Sequence, residues 1–206
     1  MEERHGFPVP AGPRRVEDVI QRSRFITTVA RAASPEAAHT FIRRVREEFP
    51  DATHHCWAFV AGPPGSTRAV GMSDDGEPHG TAGRPMLTTL LHSGVGEVVA
   101  VVTRYYGGTK LGTGGLSRAY AGGVKQALES LPVEELLARA RLEVGVHYPH
   151  LDGLQRLLEE LSGVVEREAY DATVHYLVSV PEVRLASFER RLADLTGGAG
   201  RVRRVD

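Results

Sequence analysis

The segment from Arg104 to Tyr120 constrains the fold most, because five glycines stand there between two apolar stretches. The run Val98–Val102 before it consists only of valine and alanine, which is typical of a strand buried on both faces. After it, apolar residues recur at three- and four-residue spacing as far as Leu131, and this period predicts a helix that begins near Gly114. The chain must therefore pass from a buried strand to a helix through a glycine-rich loop.

This loop has the composition of an anion-binding site. Glycine lets backbone N–H groups approach a ligand closely, and the start of a helix adds unpaired N–H groups with partial positive charge. A tight strand-to-helix turn without a ligand uses the same residue types, so both interpretations stay open at this point. The candidate anion- or nucleic-acid-binding residues, three of them cationic, are Arg104, Tyr105, Gly107, Gly108, Lys110, Gly112, Gly114, Gly115 and Arg118.

Two histidines and a cysteine follow one another in a predicted strand from His54 to Ala61. Side chains alternate along a strand, so His54 and Cys56 share one face and His55 lies on the other. Two ligands are too few for a zinc site, and the sequence offers no matching pair elsewhere. We therefore expect no metal site here, and we expect one of the histidines to hydrogen-bond a backbone group.

An acidic turn contains Asp74, Asp75 and Glu77. Crowded carboxylates can hold Mg²⁺ or serve as acid and base, although Asp and Gly more commonly form a simple turn. The small residues of the next stretch, Gly80–Arg84, indicate close backbone contact with the glycine loop or with a ligand. We predict that both segments lie beside the glycine loop, since polar, glycine-rich segments of this kind tend to build sites. The supporting residues are His54, His55, Asp74, Asp75, Glu77, Thr81 and Arg84.

Local signals define the other elements of the first half. Residues 1–20, which contain several prolines and glycines, are predicted to be an extended lead-in, and Arg24–Ala30 the first strand. Ser34 followed by Pro35 predicts a capped helix start. A short helix is predicted at Met86–His92.

The pattern changes after the long helix. Glu134–Ala140 is predicted to be a connector of undefined conformation. From Arg141 onwards the periodicities give the order strand, helix, strand, strand, helix and strand, with a hairpin turn at Asp171-Ala172. This is the order of the ferredoxin-like split unit. The sequence therefore predicts an α+β protein with two domains, at residues 1–135 and 136–206.

Three stretches, Thr53–Ala58, Ser73–Pro85 and Arg104–Leu116, occur in an order that resembles the signature of the IMPACT family in its bacterial YigZ-like branch. Together they cover about residues 20–130. The sequence departs from the family pattern at His79, where a small residue is usual.

The resemblance implies a fold and a role for each half. It implies an N-terminal α/β sandwich with the fold of the second domain of a small-subunit ribosomal protein. It also implies a C-terminal domain similar to the last domain of elongation factor G. The family is linked to the control of translation, and its eukaryotic members bind a regulator of a translation-factor kinase. Both related folds work on ribosomes or phosphates, which agrees with the anion site inferred from the loop.

Composition limits the class of protein further. With a net charge of −1 over 206 residues, any surface for nucleic acid must be local. Cys56 is the only cysteine, which excludes an internal disulfide and fits a reducing compartment. No stretch resembles a signal peptide or is long enough to span a membrane. We therefore expect a cytoplasmic protein without a membrane partner or a cofactor; its oligomeric state is not defined by the sequence.

Three functions stay open on the sequence alone. The first is a translation-associated regulatory protein that contacts RNA or ribosomal phosphates, or a translation-factor partner, through the glycine-rich basic loop. The second is a nucleotide- or phosphate-dependent enzyme whose acidic turn holds Mg²⁺. The third is a purely protein-binding regulator that uses Tyr105, Tyr106 and the sheet of the second domain. The first carries the most support because the family resemblance adds to the chemistry of the loop.

Overall fold

The computed structural model of the chain describes residues 6–170 and 173–205. These residues form two compact units, one of which spans Phe7–Leu136 while the other begins at Leu137. Within the described residues, no helix is both long and apolar enough to cross a membrane.

The first unit is built on a five-stranded antiparallel sheet with the strand order β2-β3-β6-β4-β5. The strands of this unit are β1 (Gly6–Pro10), β2 (Arg14–Ile20), β3 (Ser23–Arg31), β4 (His54–Val60), β5 (Val70–Ser73), β6 (Val98–Tyr105) and β7 (Val133–Leu137). Strands β1 and β7, which begin and end the unit, form a separate two-stranded sheet. The helices are α1 (Pro35–Glu48), α2 (Gly83–Leu91) and α3 (Gly112–Glu129).

Helices cover both faces of the central strand β6, which explains its uniformly apolar sequence. Val98, Ala100 and Val102 pack in one cluster with residues of α2 and α3. Val99 and Val101 pack on the opposite face in a cluster with residues of α1. The prediction of a buried strand before the glycine loop is confirmed, and α3 therefore lies on the face of the sheet opposite α1.

Capping sets the start of two helices in this unit. The Oγ atom of Ser34 accepts the backbone N–H of Ala37 at 3.2 Å, and Pro35 occupies the first turn, so the predicted start of α1 is confirmed. The predicted start of α2 at Met86 is three residues late. The Asp74 carboxylate, which is distant in sequence, accepts the N–H groups of Ala82 and Gly83 and extends the helix to Gly83.

Two connecting segments contain strands that the sequence pattern did not indicate. The lead-in at residues 1–20 contains strands β1 and β2, and the connector at Glu134–Ala140 contains most of β7 and the start of the next strand. Their partners explain the difference, because β2 is paired along its length with β3 and β1 with β7. Prolines and charged residues are uncommon in strands, so local propensity does not predict these strands, which are formed by hydrogen bonds to distant parts of the chain.

The second unit has the predicted element order. It consists of β8 (Arg139–Val146), α4 (Leu151–Glu160), β9 (Val164–Tyr170), β10 (Val174–Pro181), α5 (Leu185–Thr196) and β11 (Arg201–Val205). A single 3₁₀ turn, Tyr148–His150, precedes α4, so the α-helix begins two residues after the predicted start at Pro149. The predicted hairpin turn at Asp171-Ala172 lies outside the described residues.

The sheet of this unit is antiparallel with the strand order β11-β8-β10-β9. This is the strand order of the ferredoxin-like fold. Its core consists of apolar side chains from the sheet and from α4 and α5, among them Leu142, Leu154 and Phe188. The predicted fold class, α+β with two domains, is confirmed.

Candidate functional site

A cleft of about 490 Å³ lies in the first unit where the ends of several elements meet the glycine loop. Its walls come from the start of β4, the acidic turn, the end of β6 and the start of α3. The lining residues are Thr53, His54, Glu77, Pro78, Arg104, Tyr106, Lys110, Leu111, Gly112, Thr113 and Leu116. Glu77 and Gly112 therefore share one cleft, as expected from the predicted proximity of the acidic turn to the glycine loop.

A buried ion pair forms one wall of this cleft. The side chains of Arg104 and Glu77 are 5% and 4% exposed, and Arg104 Nη1 donates to Glu77 Oε1 at 2.5 Å. Tyr120 donates its hydroxyl to the same oxygen at 2.6 Å, and Arg104 Nη2 donates to Ser23 Oγ at 3.2 Å. Burial, together with the neighbouring Cys56 and Glu77, raises the pKa of Tyr120 far above its usual range. The phenol therefore stays protonated as a donor to the carboxylate.

Arg104 is thus held by an acidic partner. Asp75, a neighbouring carboxylate of the acidic turn, forms an ion pair with Arg46 instead. The guanidinium of Arg104 also lies over the rings of Phe25 and Tyr106, at 5.2 and 5.4 Å from their centroids. Since Glu77 offsets the charge of Arg104, the cationic character of the loop depends on other side chains.

The other two carboxylates of the acidic turn organise the backbone around them. Asp74 accepts three backbone N–H groups, from Gly80 at 2.7 Å, Ala82 at 3.0 Å and Gly83 at 2.8 Å. Burial alone would raise the pKa of Asp74, but these bonds together outweigh it and lower the pKa. Asp75 accepts the backbone N–H of His55 at 2.7 Å. Asp74 thus holds the turn and the start of α2, whereas Asp75 holds the turn against β4.

The histidines separate as the strand alternation predicted. His54 lines the cleft, and its Nδ1 lies 2.8 Å from the carbonyl oxygen of Asp75. His55 is buried, and its Nε2 lies 3.0 Å from the carbonyl oxygen of Phe49. Burial is the main reason why the pKa of His55 is lowered. Each ring therefore contacts a backbone carbonyl, as expected for at least one of them.

Cys56 is buried beside the same network. It donates its thiol to the carbonyl oxygen of Asp74 at 2.9 Å, and burial raises its pKa to about 12. A thiol in this state is a poor nucleophile and a poor metal ligand. Across residues 6–170 and 173–205, no group of three or more His, Cys, Asp or Glu side chains is arranged to hold a metal ion.

The glycines of the loop have different roles. A Cβ atom at Gly107 would lie 2.0 Å from backbone atoms of Arg22, so only glycine allows the end of β6 to approach the turn between β2 and β3. Gly112 has φ +70° at the first residue of α3, a left-handed conformation that glycine adopts without strain. Gly107 is therefore structural, while Gly112 sets the path of the loop into the helix and lines the cleft.

The start of α3 presents backbone N–H groups to the cleft. No side chain of the described residues caps this helix, which begins at Gly112, two residues before the predicted Gly114. Lys110 and Arg118 are exposed beside it, and no carboxylate of the described residues lies within ion-pair distance of either. Gly114 and Gly115 lie in the first turn, close to the side chains of Arg118 and Leu111 respectively. Lys110 lines the cleft, whereas Arg118 lies outside its lining.

The remaining predicted residues are not among those that line the cleft. Tyr105 donates its hydroxyl to Asp51 at 2.9 Å, under the guanidinium of Arg24. Thr81 is buried and donates to the carbonyl oxygen of Pro78 at 2.6 Å. Gly108 and Arg84 are exposed. The candidate site therefore divides into cleft-lining residues and residues that shape the surrounding backbone.

Sequence reasoning missed two members of the buried network. Ser23 accepts from both Arg104 and the N–H of Gly107, but nothing in its local sequence distinguishes it. Tyr120 falls among the buried apolar residues of α3, where the sequence pattern does not distinguish it. A tyrosine inside an apolar stripe is nevertheless a usable signal, because a buried hydroxyl requires a hydrogen-bond partner.

Comparisons with known proteins identify the family of this chain. The family model described as "Impact N-terminal domain" matches residues 21–128, which include every residue of the cleft. A second model, "Domain of unknown function (DUF1949)", matches residues 144–199 of the ferredoxin-like unit. The fold and these matches define a class of two-domain α+β proteins that carry a glycine-rich loop at the start of a helix. The chain belongs to the IMPACT family.

Individual relatives cover nearly the whole chain. The protein is 47% identical over 191 residues to "IMPACT family member YigZ" of Escherichia coli (strain K12), covering 93% of this chain and 94% of the relative. It is 40% identical over 192 residues to an IMPACT family member of Haemophilus influenzae, covering 93% of each. A crystal structure of a hypothetical protein matches with a TM-score of 0.80 and 44% identity over 98% of both chains. The two-domain architecture is therefore that of the family.

Proposed function

We propose that this protein is a regulatory binding protein of the translation apparatus, and that the start of α3 binds a phosphate group of RNA. One observation supports this most: the uncapped first turn of α3 opens into the cleft with Lys110 and Arg118 beside it, both without a carboxylate partner among the described residues. Unpaired N–H groups and cationic side chains together suit a phosphate. The link to translation rests on membership of the IMPACT family.

The charge assignment differs from the one that the sequence alone suggested. Arg104 is paired with Glu77 and buried, so its charge is offset within the protein. Lys110 and Arg118 are exposed and remain available to a ligand. Because the whole chain carries a net charge of −1, binding of RNA would depend on this patch and not on overall charge.

A cytoplasmic location agrees with this proposal. RNA and ribosomes are found there, and the single cysteine is a free thiol, which suits a reducing compartment.

The test is binding of RNA or ribosomes by the wild type and by the Lys110→Ala/Arg118→Ala variant over a range of salt concentrations. Each phosphate contact contributes about one unit to the slope of log affinity against log salt. We expect the variant to bind more weakly and to lose about two units of that slope if both side chains contact phosphates.

A matched control removes the same charge from another face of the domain. Arg43 and Arg44 are exposed on α1, which lies on the opposite side of the sheet from α3. The Arg43→Ala/Arg44→Ala variant should keep the wild-type slope. If the folded α3 variant binds with unchanged affinity and slope, the phosphate proposal is wrong, and a protein partner that contacts Tyr105 and Tyr106 becomes the better explanation.

A further inference from the structure

We propose that the cleft beside α3 binds one unpaired base of an RNA strand, with the ring on Tyr106 and an exocyclic amino group donating to Glu77. This rests on the proposed function, in which the neighbouring phosphate lies at the start of α3. The cleft and the helix start are continuous, since Gly112 and Thr113 of α3 line the same space as Glu77 and Tyr106.

Glu77 offers an unused acceptor in this cleft. Both protein donors, Arg104 and Tyr120, bind its Oε1 atom, and no donor in residues 6–170 and 173–205 reaches Oε2 within hydrogen-bond distance. The side chain is 4% exposed and lines the cleft, and Oε2 keeps some access to solvent there. A ligand in the cleft that brings an N–H group would replace water as the partner of this oxygen.

The same wall contains a buried donor without a partner. Arg104 Nε is buried and has no acceptor among the described residues. Nearly all buried polar groups in folded proteins have partners, so a buried N–H without one is unusual. Together with the carboxylate oxygen that is open to the cleft, it indicates a wall that is shaped for a polar ligand and not only for stability.

The rest of the cleft suits a flat ring. Tyr106 is 46% exposed although it lines the cleft, and Leu111, Leu116 and Pro78 add apolar surface. A volume of about 490 Å³ lies within the range for small-molecule sites. Unpaired bases of RNA are recognised in this way, by stacking on an aromatic side chain and by hydrogen bonds to the base edge.

A carboxylate acceptor also predicts which bases fit. Cytosine, adenine and guanine each present an exocyclic amino group, whereas uracil presents a carbonyl oxygen at the position where cytosine has its amino group. A carbonyl oxygen facing Glu77 Oε2 would be repelled. Cytosine and uracil form the sharpest pair for a test, because they have the same ring size.

The experiment measures binding of twelve-nucleotide oligo(C) and oligo(U) RNA to the full chain in its wild-type, Tyr106→Leu and Tyr106→Phe forms. We expect the wild type to prefer oligo(C) at least fivefold. Tyr106→Leu should weaken oligo(C) binding about tenfold, whereas Tyr106→Phe, which keeps the ring, should stay within about twofold of the wild type. Tyr170→Leu removes an exposed tyrosine from β9 in the second unit and should leave both affinities unchanged.

Salt titrations separate this proposal from the function on which it rests. Tyr106→Leu should keep the wild-type salt slope, because it removes no phosphate contact. If the wild type binds both RNAs equally and Tyr106→Leu binds like the wild type, with a normal salt slope, the base site is wrong and the phosphate site stands. If no RNA binds at any salt concentration, both proposals fail. Competition by CMP as effective as that by oligo(C) would overturn an RNA strand as the source of the base.

Discussion

The two units of this protein differ in their layers and in their interiors. Each packs helices on an antiparallel sheet. In the described part of the first unit the buried polar residues include the ion pair of Arg104 and Glu77, whereas the second unit buries Ser179 and Thr196 and no charged side chain among its described residues. The ion pairs of the second unit are at least partly exposed: Arg141–Glu166, Arg191–Glu160, Arg203–Glu143 and Arg204–Glu182.

This difference separates a unit with an apolar core from the unit in which we propose a binding site. Burying an ion pair costs desolvation energy that its attraction does not always offset, and apolar side chains of similar size often stabilise as well or better. The first unit nevertheless keeps the buried pair of Arg104 and Glu77 in the wall of its cleft. The second unit has an apolar core of the kind that stability alone favours.

The largest effect should come from breaking the buried pair. Glu77→Ala leaves the charge of Arg104 buried without an anion and removes the acceptor of Tyr120, so the first unit should lose about 3–5 kcal/mol of unfolding free energy. The measurement is urea unfolding followed by the fluorescence of Trp57, the only tryptophan, which lies in β4 of this unit. A loss below about 1 kcal/mol would show that the pair behaves like a surface pair.

An apolar substitution provides the corresponding change in the second unit. Leu142 in β8 is fully buried in its core, and Leu142→Ala should cost about 3 kcal/mol because it leaves a cavity. If the proposed boundary near residues 135–136 separates two folding units, circular dichroism of Leu142→Ala should show part of the structure unfolding at a lower urea concentration than in the wild type. The unfolding transition followed by Trp57 fluorescence should keep its wild-type midpoint. A shift of the Trp57 transition by the same amount would contradict the boundary.

Asp74 should have a smaller effect that depends on pH. Its lowered pKa means that ionised Asp74 stabilises the fold above the pKa of the unfolded chain, and this contribution is lost as the pH falls through the lower pKa of the folded state. Asp74→Asn should therefore cost about 2 kcal/mol at pH 7, since it weakens bonds to Gly80, Ala82 and Gly83.

Unfolding followed by Trp57 at several pH values checks this prediction. The difference between wild type and Asp74→Asn should be constant near neutral pH and should shrink below about pH 4. A difference that grows on acidification would mean that the pKa of Asp74 is raised, and that burial outweighs the three backbone hydrogen bonds.

The sequence predicted elements well where local signals determine them. The run Val98–Val102, the Ser34 cap and the six elements after Arg141 all follow from periodicity or capping within a short window. It failed where partners are distant. Strands β1 and β7 depend on each other across the whole first unit, and the start of α2 depends on Asp74, nine residues before Gly83.

The candidate site also divides into features that local sequence signals indicate and features that depend on distant partners. The glycine loop, Lys110 and the acidic turn were recognised from residue types, and the cleft brings the loop and Glu77 together. The choice of Glu77 as the partner of Arg104, and the parts taken by Ser23 and Tyr120, depend on strands and helices meeting in space. No local pattern encodes which of three neighbouring carboxylates turns inward.

The smallest effect should come from an exposed pair in the second unit. Arg191 on α5 forms an ion pair with Glu160 on α4, and both side chains are about half exposed. Solvent screens such pairs, and the entropy lost in holding two long side chains offsets much of their attraction. Glu160→Ala should therefore lower the unfolding free energy by less than about 1 kcal/mol, measured by circular dichroism at low and high salt. A loss above about 2 kcal/mol that persists at high salt would show that the second unit also depends on its ion pairs, and the contrast with Glu77→Ala would then disappear.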